Sequence, residues 1–378
     1  MPTEIHQRAW RAAYLDTVCS ALNKIAPRMQ VARLQTGPIA TNPLETAPGA
    51  PRCRPGPSKA VLVLMRSAGS HERVRVAVVG LGRAGEQHAA VLAGLDTATV
   101  TAGVDLRAGR AAQLGLPERG LPAALDDVDL VAVCLPPGQR GGIVEAAFAA
   151  GAHVLLEKPP AADPAELTAL LQRATGANRL AAVMFQHRFA LPDAVLRHDF
   201  GAATATLLVA RPRPERHYTT GWRADRFQAG GGATAHLGAH YLDLACQILG
   251  MPAEVSVLRR RDAAAGIDVE LAARVSFGSG SELMLEVTST ARHRTERLRV
   301  RGEHGWLEVT DGATSASLGG VRHRRAARPA AQLRAEVYRE LIAASYGHRT
   351  LDWAALARSV GVSRILHSLQ QQATAVRP

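Results

Sequence analysis

The stretch VRVAVVGLGRAG, residues 74–85, decides how the rest of this chain is read. Its first six residues are four valines, an alanine and an arginine, a β-branched run that predicts a buried strand. Gly80, Gly82 and Gly85, with Leu81, Arg83 and Ala84 between them, spell G-x-G-x-x-G, and a helical pattern over 86–95 follows. Such glycines allow a tight turn and bring backbone N–H groups close to a pyrophosphate at a helix N-terminus. Asp105 closes the second predicted strand, 99–105, where a carboxylate accepts the adenosine ribose 2′-hydroxyl and repels a 2′-phosphate. The stretch therefore predicts a dinucleotide site that prefers NAD. Arg83 and Arg107 lie close enough to keep NADP open. The plainer alternative is a glycine-rich turn without a nucleotide.

Working outward, strands and helices alternate with short loops. Strands are expected at 74–79, 99–105, 130–135, 153–157 and 180–185, with helices at 86–95, 108–114, 142–150 and 164–174 between them. Alternation of this kind means βαβ units and a parallel sheet. The second half changes character. Alternating patterns at 203–210, 254–258, 270–277, 282–290, 297–301 and 305–309 predict a large, mostly antiparallel open sheet. Helices are expected at 232–249, 332–346 and 352–372. The fold class is α/β: a Rossmann dinucleotide-binding domain over 72–190, then an α/β substrate-binding domain over 191–378. Residues 1–71 resist assignment. Their Pro/Gly/Thr-rich part cannot bury a core, and they are read as a disordered or mis-assigned extension, with Met65 as the true initiator.

Three lysines stand in the whole sequence, and Lys158 is the one beyond residue 71. A sequence this rich in arginine uses lysine where arginine will not serve, because a lysine ammonium can shift its pKa and pass a proton. Lys158 ends the apolar run from Ala152, so it is expected at the C-terminal end of a buried strand, where open α/β sheets bind ligands. The bland alternative is a solvated loop lysine.

A second constellation runs from Gly230 to Gln247. A triple glycine opens a helix on which His236, His240, Asp243 and Gln247 share one face, with Leu237, Tyr241, Leu244 and Ile248 on the core face. A histidine near a helix N-terminus tends to be neutral and able to accept a proton. His236 alone also fits a satisfied structural histidine. The spacing of His236 and His240 suits two metal ligands, but no HExxH and no third ligand accompany them, and no metal is expected.

Composition narrows the classes. The net charge is +12, yet residues 1–70 hold nine Lys/Arg against three Asp/Glu, and no basic stripe interleaved with aromatics appears. Nucleic acid is not expected as a partner. Cys19, Cys53, Cys134 and Cys246 are far apart and form no CxxC pair, as in a reducing compartment. No stretch reaches transmembrane length and no signal-peptide core is visible, so a cytoplasmic protein without membrane attachment is expected.

Taken together, these pieces resemble the Gfo/Idh/MocA oxidoreductases, the glucose–fructose oxidoreductase and inositol dehydrogenase superfamily, over about residues 73–370. The marks are the early GxGxxG; Glu157-Lys158-Pro159-Pro160-Ala161 for the family's EKPxA; Gln186-His187-Arg188-Phe189 for its NxRF; Gly221-Trp222-Arg223; and Gly238-Ala239-His240-Tyr241-Leu242-Asp243. The resemblance implies hydride transfer between NAD(P) and a carbinol or ketone of a sugar, cyclitol or sugar nucleotide. It implies a homo-oligomer, dimer or tetramer, paired through the open sheet. By carry-over Lys158, His240 and His236 are catalytic. Pro136 and Glu157 join the glycine turn and Asp105 as cofactor-binding residues, with Glu157 on the nicotinamide ribose. Arg188, Trp222, Arg223 and Asp243 are substrate-binding. Two departures stand out. His236 occupies the place of the family's usual Asp, and Arg140 the place of a usual histidine. The first removes a carboxylate that would orient His240. The rival reading is a non-catalytic NAD(P)-binding regulator on the same fold.

Overall fold

Short runs that are apolar on every side, such as Leu130–Val133 and Val154–Leu156, have no face to offer water and are covered on both sides. They lie in a five-stranded parallel sheet in the computed structural model, which describes residues 73–372 apart from Ala162 and Ala265. The expectations for residues 1–71 lie outside the described residues. The strands are β1 (Val74–Val79), β2 (Ala98–Val104), β3 (Leu130–Val133), β4 (His153–Leu156) and β5 (Ala181–Val183), in the order β2-β1-β3-β4-β5. Helices α1 (Arg83–Ala93), α2 (Gly141–Ala149) and α3 (Pro164–Gly176) make the crossovers. Asp163 caps α3 by accepting the N–H of Glu166.

An eight-stranded sheet follows, in the order β13-β12-β11-β10-β6-β9-β8-β7. Its strands are β6 (Ala203–Ala210), β7 (Pro252–Ala264), β8 (Ile267–Phe277), β9 (Glu282–Thr288), β10 (Thr295–Gly302), β11 (Gly305–Thr310), β12 (Ala313–Leu318) and β13 (Val321–Arg325). Every pairing is antiparallel except β6 with β9. Strict alternation produces one buried face. In β10, Leu298 and Val300 are buried while Arg299 and Arg301 point to solvent. Helix α4 (Ala239–Leu249) covers that face, and Leu242, Ala245 and Leu249 share a core with Leu207, Leu271 and Leu285.

Three features depart from the sequence reading. The hairpin β12–β13 was not expected. Its Gly319-Gly320 turn, with φ of 53° and 87°, supplies the left-handed backbone that a two-residue hairpin requires. The helix expected over 352–372 begins only at Val360, as α6 (Val360–Gln372). Before it come a turn at 353–354, a single bridge and a 3-10 turn (Leu356–Ser359); Val183 donates to Ala354 O at 2.9 Å and Ala355 bridges Ala182, so the edge of β5 is covered. Finally, the boundary expected at 190/191 is crossed a second time. Helix α5 (Ala330–Ser345) returns to the first sheet, and Val337, Tyr338, Leu341 and Ile342 share a core with Val76, Val78 and Leu92.

Candidate active site

The glycine turn has the shape that a pyrophosphate needs. Gly80 has φ 89°, and a Cβ there would stand 2.8 Å from Leu135. A Cβ on Gly85 would stand 2.1 Å from Gly80 O, so only glycine lets α1 pack against the turn. Gly82, by contrast, faces open space, and no side chain caps α1. Its first-turn N–H groups are left for a ligand, and the helix dipole favours an anion there. Arg83 is exposed, Ala84 half-buried and Leu81 buried, which makes Leu81 the anchor of the turn. These features fit a dinucleotide.

Asp105 stands across the turn. It accepts the Leu81 N–H at 2.8 Å and ion-pairs with Arg107 at 2.9 Å. The Arg107 hydrogen bond outweighs burial and, with backbone donors, holds this carboxyl at about 2. It is ionised at any working pH. Arg107 is thereby drawn toward the place where an adenosine ribose would end, and Arg110 Nε joins it by donating to Leu81 O at 2.9 Å.

The second half of the site hangs from the ends of β3 and β4. Pro136 opens the loop after β3 and accepts the N–H of Gln139 at 3.0 Å. Arg140, buried at 2 % exposure, donates to Leu135 O at 2.8 Å, to Glu157 O at 2.6 Å and to Pro159 O. It thus ties the two strand ends together, a bracing role that a histidine in its place could not fill with so many donors. Glu157 receives the Lys158 backbone N–H at 3.1 Å, and its Oε1 lies 3.0 Å from His88 Nε2. Burial pushes its carboxyl up, but the His88 hydrogen bond and the charges of His88, Lys158 and Arg334 win and hold it at about 2.

Lys158 is partly buried and donates from Nζ to His236 O at 2.8 Å. Burial lowers its ammonium to about 8. Glu157 opposes that shift, and the charges of Arg211, Arg140 and Arg223 reinforce it. Around it stands a group of imidazoles. His187 stacks on His240 with centroids 4.3 Å apart, and the Trp222 ring lies 5.4 Å from His236 with the Arg223 guanidinium 4.3 Å above it. Burial, followed by nearby cations, lowers His187 to about 3 and holds His236 and His240 well below the usual histidine range. All three are neutral at pH 7. His236 Nε2 and His240 Nδ1 are buried with no partner among the described residues, which leaves each free to bond a ligand.

Lys158, His236, His240, Trp222 and Arg223 are therefore brought together beside the glycine turn, Pro136 and Glu157. Arg188 and Asp243 are not. Both side chains are fully buried, and Arg188 grips the two Asp243 oxygens at 2.7 and 2.6 Å while donating to Trp353 O at 2.7 Å. Gln247 donates to Asp243 at 3.2 Å from behind. They form a closed, fully buried pair, where a substrate-binding role was expected of them. The physical reason lies in the helix. Asp243 and Gln247 lie three and seven residues past His240 along the regular helix α4, where Arg188 and the Arg358 carbonyl engage them. The sequence reading also missed Asp268. This carboxylate accepts the N–H of Gly232 and Thr234 and the Thr234 hydroxyl, fixing the start of the π-turn at Thr234–Gly238. It missed His187, visible only as the second residue of the QHRF strand end, and His88, which sits on α1 where buried and exposed faces both carry polar residues.

Among the described residues no group of three or more His, Cys, Asp or Glu could hold a metal, and no helix is long and apolar enough to cross a membrane.

Known proteins share this fold. A family described as oxidoreductases with an NAD-binding Rossmann fold (GFO/IDH/MocA) matches residues 74–185, and the GFO/IDH/MocA C-terminal domain matches residues 202–308. The chain is 30% identical over 207 residues to the D-glucoside 3-dehydrogenase of Escherichia coli (strain K12), a match covering 51% of this chain and 59% of that protein. It thus spans less than two thirds of that relative's length. Among solved structures, levoglucosan dehydrogenase in complex with NADH superposes with a TM-score of 0.70 at 17% identity, over 80% of this chain and 98% of that one. The UDP-N-acetylglucosamine 3-dehydrogenase of Acidithiobacillus ferrooxidans gives 0.67 at 23% identity, over 81% and 98%. With an NAD-binding Rossmann half and the family's C-terminal sheet both matched, this chain belongs to the GFO/IDH/MocA oxidoreductase family.

Proposed function

We propose that this protein is an NAD-dependent dehydrogenase or ketoreductase acting on a secondary hydroxyl or ketone of a sugar, cyclitol or sugar nucleotide. The observation that carries the reading is Lys158, a partly buried amine poised at about 8 and held at the end of β4, beside a turn built for a dinucleotide. Nicotinamide, when bound, supplies or accepts the hydride. The chain's own residues do the rest. One Lys158 N–H is used on His236 O, and the others can donate to a carbonyl oxygen. In reduction Lys158 passes its proton to that oxygen as it becomes a hydroxyl, and in oxidation neutral Lys158 takes the proton back. His240, neutral and with Nδ1 unpartnered, is placed to relay it. Trp222 and Arg223 form a wall on which a sugar face stacks. The names of the relatives, a glucoside 3-dehydrogenase and a UDP-N-acetylglucosamine 3-dehydrogenase, support a sugar hydroxyl as the reacting group.

The test is direct. Purified protein with NADH and a panel of keto-sugars and inososes, or with NAD and the parent sugars and UDP-sugars, should show a change in NADH absorbance with at least one substrate. NADH binding without turnover on any of them would favour the regulator reading.

A further inference from the structure

Glu157 is held from behind by residues that the proton transfer does not touch. His88 lies on α1, three residues past the last glycine of the turn, and is fully buried. Its Nε2 is 3.0 Å from Glu157 Oε1, and its Nδ1 is 2.6 Å from the hydroxyl oxygen of Tyr338, itself fully buried on α5. A carboxylate only accepts, so Nε2 carries the hydrogen and donates it. Nδ1 bonds the Tyr338 hydroxyl. Both ring nitrogens are used and the ring is held in place. The other Glu157 oxygen takes the Lys158 backbone N–H at 3.1 Å. Its side chain keeps 12 % exposure, and its remaining lone pairs have no partner assigned by these contacts.

We propose that Tyr338 and His88 are positioning residues for the dinucleotide: they aim Glu157 and keep it an acceptor, so that its open edge can receive hydroxyls of bound NADH. The device joins three parts of the chain: the helix that follows the glycine turn, the strand end that carries Lys158, and a helix from near the C-terminus. The charged and titratable groups facing Glu157 are His88 from α1, Cys134 after β3, Arg140 from the next loop, Lys158 beside it, and Arg334 and Tyr338 from α5. Burial alone would drive this carboxyl toward its protonated form, and the His88 hydrogen bond is the first influence opposing that. Without the donor, protonation turns one oxygen of the acceptor into a donor of the wrong sense.

The inference rests on the proposed function only in that the chain binds NADH, so the assay is binding rather than turnover. NADH fluorescence titrations on the full chain, from about pH 5 to about pH 8, compare wild type with His88→Leu, His88→Gln and Tyr338→Phe. Wild type should show a flat profile. His88→Leu should bind about tenfold more weakly at the acid end than at the neutral end, the change expected when a carboxyl midpoint rises to about one unit above the assay pH. His88→Gln, whose amide places an N–H near the lost Nε2, should restore the flat profile. Tyr338→Phe should show a smaller slope of the same sign. A flat profile in a His88→Leu protein that melts like wild type would overturn the proposal, because a packing role predicts no pH slope. If His88→Leu fails to fold, Tyr338→Phe decides by the same criterion. A wild type that does not bind NADH sinks this proposal and the proposed function together. One that binds NADH but turns over no sugar sinks only the activity, and the slopes still decide the role of His88.

Discussion

Raising the pH through the Lys158 midpoint should switch this protein's preferred direction. An ordinary lysine ionises at 10.5, whereas burial and the charges of Arg211, Arg140 and Arg223 bring Lys158 to about 8, with Glu157 pulling the other way. A group lowered in this way keeps its proton below about 8 and loses it above. Ketone reduction needs that proton, so its rate should be level on the acid side, fall through the midpoint, and drop about tenfold per further pH unit. Oxidation needs the neutral amine and should rise over the same interval. Among the arginines Arg211 contributes the most to lowering Lys158, so Arg211→Ala should move both limbs to higher pH. Lys158→Met keeps the shape of the stem and removes the proton, and should cost about 10²–10⁴ in both directions. Lys158→Arg cannot deprotonate, so its loss should be greatest in oxidation. Initial rates by NADH absorbance across the pH range, with NADH affinity from fluorescence as the control, read all of this. Wild-type turnover by Lys158→Arg, or a profile with no limb near the midpoint, would refute the proton-transfer role.

Two further outcomes follow from the geometry. Asp243→Ala strands a fully buried guanidinium, Arg188, so it should cost about 3–5 kcal/mol and lower Tm by on the order of 10 °C in thermal melts. A change in KM with an unchanged melt would return Asp243 to the substrate site. NAD should bind more tightly than NADP. Asp105→Ala removes a charged acceptor worth about 1.5–3 kcal/mol and frees Arg107, so calorimetry should show weaker NAD binding, about tenfold or more, and relatively tighter NADP binding. An unchanged ratio would mean that Asp105 serves only to anchor Leu81.

Local features were legible in the sequence. The glycine turn, Asp105, the strand ending at Lys158 and the alternation of the second sheet are written in runs of a few residues, and each stands in the structure where it was expected. What the sequence hid was pairing at long range. Nothing local to Arg188 says that its partner is Asp243 rather than a substrate, because an Arg and an Asp wanted by a ligand look the same as an Arg and an Asp wanted by each other. The π-turn at Thr234–Gly238 takes His236 out of register with His240, Asp243 and Gln247, because a helical wheel assumes a constant period. The β12–β13 hairpin was overlooked although its Gly319-Gly320 turn was in view. The flanking strands, ATSASL and VRHRR, lack the apolar alternation that marks a half-buried sheet.

The return of α5 to the first sheet has a consequence for how the protein is made. Val76, Val78 and Leu92 emerge from the ribosome early, yet part of the surface that covers them, Val337, Tyr338 and Leu341, is synthesised some 250 residues later, the separation of His88 from Tyr338. A nascent nucleotide-binding half therefore waits with an apolar flank and a half-satisfied imidazole until the far end of the chain arrives. Contacts so distant in sequence close slowly and expose sticky surface in the interval. The nucleotide-binding half is thus not a cassette that can be cut at its apparent boundary: a fragment ending before α5 would lack both its wall and the hydroxyl that bonds His88.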